Sequence, residues 1–304
     1  MNASPALIPG RPVGEALRSV ATETLVRARA ILDDPAREPT VTVHDIRRAL
    51  KRWRALLRML TPILGDGTVA LREQARDLAR KLTAARDAQS SIDAFQDAVE
   101  ASLGKPMALS PRSVVAIQSR LETLRAQDET AIWNEERRLE MTEYLTAAAF
   151  HVTQWDVAAV TFADIADALS ATFRRARRSI PKDWEQIEAE ELHELRRRVV
   201  EHRYQMELIE PAWPRMGKLW GDEAQRLRTR LGKYQDLAVL TLKTGPHQPL
   251  APWRSKLAPL ILARQHDHAM ASRRLATRIF AESSKAFRRR LEALWESQGC
   301  ESDD

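Results

Sequence analysis

A single cysteine, Cys300, lies near the end of this 304-residue chain. No disulfide can form within it, and a reducing, cytoplasmic setting is expected. No apolar run approaches the roughly 20 residues needed to span a bilayer, so no membrane association is expected. The segment Met1 to Gly14 has no basic patch followed by an apolar stretch, and so does not read as a signal peptide. A Gly-rich phosphate loop, an H-E-x-x-H pair and a Cys/His zinc cluster are all missing. The expectation is a protein with no metal and no cofactor. Glycine is scarce, at 10 residues, while Ala, Leu, Arg and Glu dominate. Those residues lose little freedom in a helix, so the balance points to an all-α fold.

Charge is plentiful and mixed. Lys and Arg number 48 against 42 Asp and Glu, a net charge of +6. That excess is modest, so any preference for anions must come from how the cations are arranged. Prolines fall in clusters, at Pro5/Pro9/Pro12, Pro35/Pro39, Pro62, Pro106/Pro111, Pro181, Pro211/Pro214 and from Pro246 to Pro259. Between clusters the pattern reads as helix, because proline is tolerated at helix ends and not inside. Helices are expected over 13–33, 42–61, 67–88, 89–103 and 111–149. In the second half they are expected over 162–180, 184–210, 217–236, a short piece at 237–243, and 254–297. The last helix of each half is long enough to be broken. Asp87-Ala88 and Asp236-Leu237 are expected at equivalent kinks, and 151–161 at the junction.

The halves share more than a helix count. His44-Asp45-Ile46-Arg47-Arg48 returns as His193-Glu194-Leu195-Arg196-Arg197, 149 residues later. The same offset relates Arg54 to Arg203, Pro62 to Pro211, Leu78 to Leu227, Leu82 to Leu231 and Asp87 to Asp236. A register held over about 60 positions implies a duplicated unit. One domain over 1–304 is expected, built from repeat halves of about 13–149 and 162–297.

Each copy carries a basic line. In 42–61, Ile46, Leu50, Trp53, Leu57 and Leu60 make an apolar stripe at helical spacing. His44, Arg47, Lys51, Arg54 and Arg58 make a second stripe, with no acid among them. Like charges at i, i+4 repel, and a solvated face mixes signs, so an anion is expected along this line. Because these side chains lie off the apolar stripe, truncating Arg47, Lys51 and Arg54 is expected to leave stability nearly intact. In 184–210 the line is His193, Arg196 and Arg203, with Arg197 beside it. Val200 and Glu207 replace the counterparts of Lys51 and Arg58. His202 takes the place of Trp53 on the apolar face and reads as a packing histidine.

These residues resemble the CHAD family, the histidine-containing α-helical domain. Its hallmark is similar to His44–Arg54, read as H-x-x-R-[RK]-x-x-[RK]-x-x-R, and to His193–Arg203. The segment Leu227–Asp236 is similar to the family's L-x-x-x-L-G-x-x-x-D pattern, with Leu78–Asp87 as its counterpart. The resemblance implies two four-helix bundles related by a pseudo-twofold axis, with basic helices facing a central groove that binds inorganic polyphosphate. Carried over residue by residue, the ligands would be His44, Arg47, Arg48, Lys51, Arg54, His193, Arg196, Arg197 and Arg203. The helical wheel adds Arg58.

The chemistry agrees. Polyphosphate is a flexible polyanion with oxygens along its length. Arg offers it paired planar donors and Lys a mobile point charge. The family is often fused to a triphosphatase with an E-x-E-x-K signature, and Glu188-Ala189-Glu190-Glu191-Leu192 lacks its lysine. A non-enzymatic polyphosphate binder is therefore expected, with polyphosphate granules as a candidate location. Nucleic-acid binding is the alternative, and the lack of aromatics along the basic line argues against it. A helical scaffold acting through protein contacts would leave the cationic stripes unexplained.

Overall fold

A computed structural model describes residues 5–82, 84–105, 109–129 and 133–299. Among them are eleven α-helices and no strand. They are α1 (Val13–Asp33), α2 (Pro39–Leu64), α3 (Gly67–Lys81), α4 (Ala84–Ser102), α5 (Pro111–Glu129) and α6 (Glu135–Thr153), followed by α7 (Phe162–Arg178), α8 (Ala189–Ile209), α9 (Pro214–Leu242), α10 (Arg254–Ile279) and α11 (Ser284–Gly299).

Local chemistry sets the ends. Pro39 and Pro214 open α2 and α9 at first-turn positions, where a missing N–H costs nothing. Thr161 caps α7 in a reciprocal capping box with Asp164. The two long helices expected at the end of each half are broken. Asn134 Oδ1 accepts from Arg137 N at 2.9 Å and starts α6, and Ser283 Oγ accepts from Ala286 N at 3.1 Å at the start of α11. These two caps are 149 residues apart, as are the starts of α1 and α7 at Val13 and Phe162. The expected kink at Asp236 is absent, because α9 runs unbroken through it to Leu242. In the first half the break comes earlier than expected, after Lys81. The side chain of Asp87 lies outside the described residues.

Helices α1, α2, α3 and α6 pack together, as do α7, α8, α9 and α11, and α2 packs on both α7 and α8. One apolar core runs through both groups, from Leu17 and Leu57 to Leu195, Phe173 and Phe287. A second, smaller core joins α4 and α5 to the end of α9 and α10, around Phe95, Ile117, Leu240 and Ile261. This layer crosses between the halves and was not expected from the sequence. Beneath it, Asp97 on α4 is buried among Lys233 Nζ (2.5 Å), Arg264 Nε (2.7 Å) and His268 Nε2 (2.8 Å), from α9 and α10. The three partners hold its carboxyl far below the usual range despite the opposing effect of burial.

The junction after α6 is docked on α1. Arg18 Nη2 donates to Trp155 O at 2.6 Å. Any side chain at Gly14 would sit 1.8 Å from Val157 O, so only glycine lets the two backbones meet there.

Candidate phosphate-binding cleft

The apolar stripe of α2 decides where its cations point. Ile46, Leu50, Trp53, Leu57 and Leu60 are buried. Trp53 Nε1 donates to Tyr144 Oη at 2.7 Å, and Tyr144 donates on to Leu71 O at 2.8 Å. With that face locked, the first two turns of the basic line open into a cleft of about 790 Å³. His44, Arg47, Arg48 and Lys51 line it, together with Arg203 from α8. His44 and Arg48 are exposed and Lys51 is half-buried. Arg203 Nη2 lies 2.5 Å from Glu207 Oε1, with its guanidinium 4.7 Å from the centre of the Tyr204 ring.

Arg47 does a second job. It is buried, and Nη1 donates to Ala79 O at 3.0 Å and Leu82 O at 2.6 Å. Those carbonyls lie at the C-terminal end of α3, where a helix presents its last acceptors to donors from outside. A cation there also meets the negative end of the helix dipole. The expectation that truncating Arg47 spares stability is therefore corrected, because the wheel showed its face and not its reach.

The remaining predicted residues lie outside the cleft. Arg58 Nε is 2.7 Å from Glu201 Oε1 of α8. Burial lowers the pKa of both Arg54 and Arg58, and Glu201 opposes it. Arg72, Arg76 and Arg197 push Arg54 down further, while Arg72, Arg198 and Arg175 do so for Arg58. This is a second cationic locus centred on one carboxylate. Arg197 pairs with Glu194 at 3.2 Å. His193 is half-buried, and its Nδ1 lacks a hydrogen-bond partner. The guanidinium of Arg196 lies 3.5 Å from where a Cβ on Gly232 would be. That is an ordinary contact distance, so Gly232 packs beside the arginine that matches Arg47 without being required by it. Glu207, read from the sequence as an interruption of the second stripe, pairs with both Arg52 and Arg203.

Several cleft residues were not foreseen. Arg125 and Arg228 add cations from α5 and α9, Asp93 and Asp236 are carboxylates in the walls, and Trp133 and Tyr204 are aromatic. Arg125, Arg228, Asp93 and Trp133 lie outside the repeated stripe, so periodicity carried no signal for them, whereas Tyr204 follows Arg203 on α8 itself. His202 is the packing group expected. It is 3% exposed, 5.6 Å from the Phe173 ring and 5.3 Å from Phe280, and burial lowers its pKa to about 4. Among the described residues, no cluster of three or more His, Cys, Asp or Glu is placed to hold a metal ion. No described helix is long and apolar enough to cross a membrane.

The model of the CHAD domain matches residues 15–243, three-quarters of the chain. The chain belongs to the CHAD family. Two solved structures share the fold. The CHAD domain from the plant Ricinus communis aligns with a TM-score of 0.58 at 19% identity, covering 91% of this chain and 93% of the other. PptA from Streptomyces chartreusis aligns with a TM-score of 0.62 at 16% identity, covering 90% of this chain and 100% of the other. No curated protein matches the sequence significantly. The CHAD fold is a helical domain and not a typical catalytic one.

Proposed function

We propose that this CHAD protein binds inorganic polyphosphate in the cleft beside α2, without catalysing a reaction on it. The observation that carries the reading is the convergence of His44, Arg48, Lys51, Arg203, Arg125 and Arg228 on one cleft from four helices. Cations so placed repel one another in the empty protein and are relieved by a polyanion. Affinity then comes largely from charge-assisted hydrogen bonds and released counterions. The second locus, around Arg54 and Arg58, offers a further stretch of the same polymer a place to bind. The proposed setting is the cytoplasm, with polyphosphate granules as the place where such a polymer is concentrated.

Competition binding tests the reading. Long-chain polyphosphate is expected to displace a labelled polyphosphate at near-physiological salt, while duplex DNA and RNA of equal total charge displace it poorly. Equal or tighter binding of DNA or RNA would favour the nucleic-acid alternative. Binding of neither polymer would favour a scaffold acting through protein contacts.

A further inference from the structure

Inorganic polyphosphate leaves part of the cleft unexplained. At neutral pH its phosphates offer acceptors and charge, with no aromatic ring and few protons to donate. The cleft nevertheless contains acceptors and aromatic surface. Asp93 presents an exposed carboxylate in its wall, which a pure polyanion would meet only as repulsion. Gln225, another wall residue, gives its Nε2 to Thr229 Oγ1 at 3.2 Å and has a buried Oε1 with no hydrogen-bond partner. Asp93 accepts from Gln89 Nε2 at 2.8 Å, which leaves most of a carboxylate's acceptor sites for another donor. Trp133, half-buried, supplies the aromatic surface, while Tyr204 is buried with Arg203 over its ring.

A ligand that uses all of these groups carries phosphates, N–H or O–H donors and a ring. We infer that the cleft takes a nucleoside triphosphate. This rests on the reading that the cations beside α2 hold phosphate. Arg48 and Lys51 take the phosphate chain, the base lies against Trp133, and Asp93 and Gln225 accept from the base amino group or the ribose hydroxyls. Stacking on an aromatic side chain tolerates any base, because every base has a π face. A cleft of about 790 Å³ is within the size range of small-molecule sites. The sequence hid this, since Trp133 lies off the basic line and the fold brings it in from another element.

The test is calorimetric titration of the full chain with ATP, GTP, CTP and tripolyphosphate, in magnesium-free buffer at matched ionic strength. The expected result is that nucleoside triphosphates bind at least tenfold tighter than tripolyphosphate. Asp93→Asn and Trp133→Leu should each cut that preference to threefold or less. Asp93→Asn, at an exposed position, should keep or improve the tripolyphosphate affinity, which separates a recognition defect from misfolding. Tripolyphosphate binding as tightly as ATP would overturn the inference, as would a preference that survives in folded Asp93→Asn. If long polyphosphate binds and ATP does not, only this inference falls. If ATP binds and long polyphosphate does not, this inference stands and the polyphosphate reading falls.

Discussion

Arg58 pairs with Glu201, and Arg52 pairs with Glu207, across the packed helices α2 and α8. The 149-residue offset carries Arg52 onto Glu201 and Arg58 onto Glu207. Exchanging the halves therefore turns one ion pair into the other, as an approximate twofold axis between the helices would do. Identical halves would place arginine against arginine. In this chain the second half carries the opposite sign at both positions, and the contact becomes two attractive pairs.

Glu201 should therefore matter more to stability than an ordinary surface acid. Its side chain is 14% exposed and faces Arg58 and Arg198, with Arg54 and Arg175 near enough to feel its charge. Glu201→Ala should cost about 2 kcal/mol, between the values for exposed and buried pairs. The loss should shrink when phosphate or sulfate is added. The double exchange of Arg58→Glu with Glu201→Arg should recover part of it. Chemical denaturation of the three proteins, with and without sulfate, checks this.

Arg47 and Arg48 are neighbours with different expected effects. Arg47→Ala removes the donor to Ala79 O and Leu82 O and empties a buried site, so it should cost about 2–3 kcal/mol. Arg48→Ala, at an exposed position, should stay within about 0.5 kcal/mol of the parent. Thermal melting distinguishes them. Equal effects would show that Arg47 does not close α3.

His202 gives a pH signature of known sign. Its folded pKa is lowered to about 4, first by burial and then by Arg290. The unfolded value is about 6.5. Between these the unfolded chain binds a proton that the folded one refuses, so stability is complete above about 6.5 and declines as pH falls towards 4. The full loss is about 3 kcal/mol. His202→Leu should flatten the stability difference between pH 7 and pH 5, measured by urea unfolding. Asp97 acts in a lower window. Its folded pKa is depressed, so its contribution is present above about 4 and is lost as pH falls further. Asp97→Asn should weaken the protein at pH 7, with the gap to the parent closing below pH 4.

How much of this was legible depended on whether the signal was local. Helix α1 runs over 13–33 and α7 starts at Phe162, as the proline spacing and periodicity indicated. Asn134 and Ser283 were readable as caps, yet the apolar pattern continuing on either side masked them. The kink expected at Asp236 does not form, because no proline interrupts the run and α9 continues to Leu242. Of the ten basic residues singled out, the structure brings His44, Arg47, Arg48, Lys51 and Arg203 to one cleft. A wheel gives direction around one helix and says nothing of what packs opposite. The carbonyl partners of Arg47, the glutamate facing Arg58 and the cleft walls built by α4, α5 and α9 are all tertiary facts of that kind.

If the α2 cations bind polyphosphate, Arg48 and Lys51 carry a large share of the affinity. The most direct measurement is the affinity of the Arg48→Ala/Lys51→Ala double variant for labelled long-chain polyphosphate across a salt series. Arg47 is left intact, so the fold should melt within a few degrees of the parent. Affinity at near-physiological salt should fall at least tenfold. The slope of log affinity against log salt should become shallower by about 1–2, one step for each lost phosphate contact. A folded double variant that keeps both the parent affinity and the parent slope would contradict the account.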